Sequence, residues 1–65
     1  MRQDLRDSAG KLLGWRQQTG RLVKGFVATG SPVGWYDPLV NATYDRNGHR
    51  IGIGDLLTSL IVSKR

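Results

Sequence analysis

Apolar residues recur along the chain in short runs of five to eight, each closed by a cluster of Gly, Asn, Asp, Ser or Pro. The clusters are Ser8-Ala9-Gly10, Gln18-Thr19-Gly20, Thr29-Gly30-Ser31-Pro32, Asp37-Pro38-Leu39-Val40-Asn41 and Arg46-Asn47-Gly48. Runs of this length, rich in Leu, Val, Trp, Tyr and Phe, read as strands, and turns so closely spaced join neighbouring strands antiparallel. Asn47-Gly48 is the strongest hairpin signal, because a type I′ turn needs positive φ at both central positions. The pattern predicts strands near 11–17, 21–28, 32–36, 42–45 and 49–53, with 2–6 added as an edge strand. The expected fold class is all-β, a small antiparallel repeat meander of five or six strands over about 2–54, in a single domain spanning 1–65.

Beyond Gly54 the period changes. Leu56, Leu57, Leu60 and Ile61 fall at helical spacing, Asp55 stands where an N-cap would, and Lys64 and Arg65 sit where a helix C-terminus favours cations. A short C-terminal helix over about 55–63 is therefore expected. The β-branched pair Ile61-Val62 leaves a last strand, 59–63, as the competing reading.

The chain also repeats itself. Asp7-Ser-Ala-Gly10-Lys-Leu-Leu-Gly14-Trp15 is followed by Val27-Ala-Thr-Gly30-Ser-Pro-Val-Gly34-Trp35 and by Asp45-Arg-Asn-Gly48-His-Arg-Ile-Gly52-Ile53, with first glycines 20 and then 18 positions apart. Three copies of one unit imply a repeating meander. Period-two alternation puts Leu13 with Trp15, Val33 with Trp35 and Ile51 with Ile53 on one face, and Gly14, Gly34 and Gly52 on the other. Those six apolar residues are the expected centre of the core. A mid-strand glycine weakens a sheet unless another group comes close, so the glycine positions, Gly25 included, are expected to mark a place where units converge. Leu56, Leu57, Leu60 and Ile61 are expected to pack on the core or on another subunit.

Composition narrows the function. A 65-residue chain has a marginal core, and with no cysteine and one histidine it lacks the usual disulfide or metal reinforcement. Self-association is what remains by elimination. The N-terminus is polar and unlike a secretory signal. The longest apolar stretch, 56–62, is interrupted by Thr58 and Ser59 and falls far short of the roughly 20 residues of a membrane span. A soluble, cytoplasmic protein without a membrane partner is expected.

Candidate chemistry is sparse. The Gly-x-x-x-Gly spacings open no helix after a strand, the context a phosphate loop requires. His49 has Ser31, Thr43 and Asp45 in the sequence but no triad spacing. Asp7 and Asp45 precede glycine turns, where a short carboxylate accepts backbone hydrogen bonds. Val27 stands at their place in the middle copy, which precludes a triplicate acidic site. No catalytic residue, cofactor or metal site is expected. The net charge of +5 suggests a polyanion partner, met by Arg16, Lys24, Arg46 and Arg50 with Tyr36 for stacking.

Arg6-Asp7-x-x-Gly10-x-x-x-Gly14, Tyr36-Asp37-Pro38 and Thr43-x-Asp45-x-x-Gly48-x-x-x-Gly52-x-Gly54-x-Leu56-Leu57-x-Ser59-Leu60 together resemble a group of short proteins encoded in bacteriophages and prophages. The resemblance runs from about residue 5 to 61. It implies a compact β-repeat fold described for similar sequences as a β-flower, a phage or prophage origin and residence in the host cytoplasm. It carries no established activity and assigns no functional residue. The expected function is a non-catalytic interaction or assembly protein, self-associating through Leu56, Leu57, Leu60 and Ile61 or docking on a host or phage protein. The alternative is a small basic nucleic-acid-binding protein, and carbohydrate binding by Trp35 and Tyr36 ranks third.

Overall fold

The computed structural model describes residues 2–64; Arg65 and the side chain of Lys64, the cations expected at the helix end, lie outside what it describes. Six strands, β1 (Arg2–Arg6), β2 (Leu12–Thr19), β3 (Leu22–Val27), β4 (Pro32–Asp37), β5 (Ala42–Asp45) and β6 (Arg50–Ile53), precede one helix, α1 (Leu57–Lys64). They form a single antiparallel sheet in chain order, β1 to β6. The expected meander is the observed one, and the last segment is helix rather than strand. No helix among the described residues is long and apolar enough to cross a membrane.

The three copies build three similar turns at one end of the sheet. Gly10 N–H donates to the Asp7 carbonyl, Gly30 N–H to that of Val27 and Gly48 N–H to that of Asp45, at 2.8–3.0 Å. In the outer two turns a carboxylate adds two bonds: Asp7 Oδ1 accepts from the Ala9 and Lys11 N–H groups, and Asp45 Oδ1 from those of Asn47 and His49. Asn47-Gly48 is thus not the two-residue type I′ turn that its sequence predicts. Only Gly48 takes positive φ there (87°), because the Asp45 side chain organises a longer loop around itself. Val27, in the middle copy, instead packs against the core.

Each copy also carries one extra residue in its strand. Leu5 pairs with Gly14 and Arg6 with Leu12, leaving Leu13 opposite nothing; Val33 and Ile51 are skipped in the same way on β4 and β6. These are β-bulges, and they overturn the predicted faces. Period-two counting fails across a bulge, so Val33 joins the glycine side while Trp15 and Trp35 remain on the opposite one. The predicted core of Leu13, Trp15, Val33, Trp35, Ile51 and Ile53 is therefore divided. Leu13 and Val33 are buried, Trp15 and Trp35 are half-buried on the other face, and Ile51 and Ile53 are exposed.

The core lies where the side chains are smallest. Gly14, Gly25, Gly34 and Gly52 make a trough on one face, with Gly25 directly opposite Gly34, and α1 lies across β2, β3 and β4 with its apolar side in that trough. Ile61 sits over Gly14, Leu57 and Ile61 over Gly25, Leu60 over Gly34, and Leu56 over Gly52. Leu57 and Ile61 are completely buried, with Val33 at the centre and Leu5, Val23, Val27, Tyr36 and Leu60 around them. An eight-residue helix has little stability of its own, so this packing is what holds it.

Two polar groups fix its start. Thr43, fully buried on β5, donates its hydroxyl to the Gly54 carbonyl (2.8 Å) and accepts from the Leu56 N–H (2.9 Å). Asp55 accepts from the Leu57 N–H and meets the Arg16 guanidinium at 2.6 Å, while Arg16 also donates to Thr58 Oγ1. Asp55→Ala removes both the bond at the helix start and the ion pair. It is expected to lower unfolding free energy by about 1–3 kcal/mol, read as a reduced urea midpoint at unchanged slope. An unchanged midpoint would mean that this contact does not hold the helix.

Candidate nucleic-acid interface

Cross-strand partners share a face, so the register alone lays out the side that α1 leaves open. One row crosses the whole sheet: Arg2, Gln17, Lys24, Trp35, Tyr44 and Arg50, one from each strand. Beside it run Asp4, Trp15, Phe26 and Pro32. With strands about 4.8 Å apart, five steps make the long row about 24 Å.

The aromatics come as two equivalent pairs. Trp15 stacks on Phe26 with ring centroids 5.3 Å apart and planes 17° from parallel, and Trp35 stacks on Tyr44 at 5.6 Å and 18°. Each indole reaches toward the glycine of the following turn, Trp15 to Gly30 and Trp35 to Gly48, where a Cβ would lie 4.0 and 3.9 Å from the ring. All four aromatic residues are half-buried. Their arrangement follows from the repeat, since the first two copies place a tryptophan after the bulge and the next strand brings a ring opposite.

Cations flank these rings. The Arg2 guanidinium lies over the Trp15 ring, 4.1 Å from its centroid, and is held by Asp4 at 2.7 Å. Lys24 is opposite Trp35, and Arg50 is opposite Tyr44. Neither Lys24 nor Arg50 makes an ion pair among the described residues. Two carboxylates belong to this face. Asp4 sits at the β1 edge between Arg2 and Arg6, and Asp37 is buried and paired with Arg21 at 3.3 Å.

Of the five residues expected to form a polyanion surface, the structure gathers two here, Lys24 and Arg50. The bulge at Ile51 moves Arg50 from the glycine side, where alternation places it, to the aromatic side. Arg16 is on the helix side, bound to Asp55 and Thr58. Tyr36 is there too, packed on the core with its hydroxyl donating to Asn41 Oδ1 at 2.8 Å. Arg46 lies in the β5–β6 turn, lining a cleft of about 410 Å³ between that turn and the β3–β4 turn. Trp15, Phe26, Trp35, Tyr44 and Arg2 make up the rest of this face; sequence reasoning places Trp15 and Trp35 in the core and names Trp35 only for a sugar. The signal that could have found them is the tryptophan one residue after the second glycine in two copies, read with a bulge before it.

The residues expected to mediate self-association are committed to the chain's own sheet. Leu57 and Ile61 have no exposed surface, Leu60 is half-buried over Gly34, and only Leu56 keeps an exposed side. His49 approaches Asp45 at 3.7 Å on the surface of its turn, and no group of three or more metal-binding side chains occurs among the described residues. No family model, curated protein or solved structure matches the chain.

Proposed function

We propose that this protein binds single-stranded nucleic acid on the helix-free face of its sheet. The observation that carries the reading is the row Arg2–Gln17–Lys24–Trp35–Tyr44–Arg50, with the Trp15–Phe26 stack beside it. Aromatic rings on a sheet surface stack unpaired bases of any identity, and interleaved cations track the backbone. A duplex hides its base faces, so the rings favour a single strand. Charge separates this from a carbohydrate platform, because a neutral sugar has no use for Lys24 and Arg50 beside the rings.

The test is an anisotropy titration of a labelled mixed-sequence oligonucleotide, single- and double-stranded, at several salt concentrations. Three phosphate contacts, from Arg2, Lys24 and Arg50, give a log–log salt slope of about −2, or roughly 100-fold weaker binding for tenfold more salt. The single strand is expected to bind more tightly than the duplex, and Lys24→Glu with Arg50→Glu to abolish most of the affinity. No binding at low salt would retire the proposal. Salt-independent binding would point to a different surface.

A further inference from the structure

Five large apolar side chains are exposed among the described residues: Leu39 (73%), Ile53 (65%), Val40 (54%), Ile51 (44%) and Leu56 (37%). They are not scattered. Ile51 and Ile53 lie on β6, Leu56 follows it, and Leu39 and Val40 form the tip of the β4–β5 loop. That loop is tied to the end of β6, since the Gly54 N–H donates to the Asn41 carbonyl at 2.7 Å and Ala42 pairs with Ile53. Exposed apolar residues gathered at one place mark an interaction surface.

The strand they surround is an open edge. The sheet ends at β1 and at β6, and the two ends differ. β1 alternates charge, with Arg2, Asp4 and Arg6 joined in ion pairs of 2.7 and 3.7 Å, the protection expected of an edge that stays unpaired. β6 has only Arg50, at its first position, and otherwise offers Ile51, Gly52 and Ile53, with no further strand of the sheet beyond it.

We propose that β6 pairs antiparallel with β6 of a second copy, closing a two-fold dimer. Charge selects this occupant. Antiparallel self-pairing carries the two Arg50 side chains to opposite ends of the new ladder. A parallel arrangement would set the arginines abreast, and addition of β6 to the β1 edge of another copy would bring Arg50 to a strand whose one carboxylate, Asp4, is already paired with both Arg2 and Arg6. The same patch meets itself, so the assembly closes at two copies instead of growing. The two-fold axis is normal to the sheet, which leaves both helix-free faces on the same side and both helices on the other.

Sedimentation equilibrium with light scattering over a wide concentration range tests this. The wild-type chain is expected at twice its 7.2 kDa mass, and Ile53→Lys at the monomer mass with unchanged circular dichroism. Gln3→Lys, on the β1 edge, is expected to remain dimeric. Slower amide exchange over 50–53 at high concentration, absent in Ile53→Lys, would place the contact on β6. A wild-type monomer up to millimolar concentration, an Ile53→Lys dimer, or open-ended assemblies larger than a dimer would each overturn the proposal.

Discussion

Gly34→Ala is expected to remove a large part of the chain's folding stability. A Cβ at this position would land on the Tyr44 carbonyl oxygen, with Asp45 Cα at 3.0 Å and Leu60 Cδ2 at 3.1 Å, and would have to adopt φ of +152°. Two of these neighbours are backbone of the paired strand, so relief requires β4 and β5 to separate. A domain of this size is stable by about 3–10 kcal/mol. A backbone overlap in its centre is expected to cost more than about 4 kcal/mol. Gly25→Ala is the informative contrast. Its Cβ would meet side-chain atoms alone, Leu57 Cδ1 at 2.8 Å, Leu57 Cγ at 3.0 Å and Ile61 Cδ1 at 3.1 Å, which shift when the helix lifts slightly. That overpacking is expected to cost about 1–3 kcal/mol and to lower the melting temperature by roughly 5–20 °C. Circular dichroism melts of the two variants decide the matter. A Gly34→Ala variant that melts like the wild type would mean that β4 and β5 do not pair as described, and equal losses would contradict the distinction between backbone and side-chain contacts.

The second large effect concerns binding. Trp35→Ala removes one of the two stacked pairs and is expected to weaken single-strand binding by about 5- to 150-fold, the range of one lost base stack. Trp15→Ala is expected to act similarly, because the two pairs are copies of one arrangement. Trp35→Phe keeps a ring on Tyr44 and is expected to retain most of the affinity. Both tryptophans lie away from the helix, so the alanine variants are expected to keep the wild-type far-ultraviolet spectrum. Alanine variants that are folded and bind like the wild type would remove the aromatic row from the interface. A loss confined to Trp35 would restrict the site to β3–β6.

Much of the architecture was legible in the order of residues. The turn clusters located all six strands, the copies announced a meander, and the spacing of Leu56, Leu57, Leu60 and Ile61 announced a helix with Asp55 at its start. The mid-strand glycines signalled a close approach. What approaches, the chain's own helix, was not legible, because nothing local in Gly14, Gly25, Gly34 or Gly52 names its neighbour. The two faces of the sheet were misread for a different reason. Trp15 and Leu13 are two positions apart and period two unites them, yet Leu13 is itself the skipped residue, so the alternation breaks before it reaches Trp15.

Local chemistry therefore determined where the chain turns and which segments extend or coil, since φ preferences, side-chain oxygens beside glycines and short-range periodicity act within a few residues. The tertiary structure decided which face is the core. A bulge is set by pairing with another strand, and a trough of glycines becomes a binding place only when four strands stand side by side. That pairing spends the apolar side of α1 inside the molecule. It leaves Trp15, Phe26, Trp35 and Tyr44 in a row with Lys24 and Arg50.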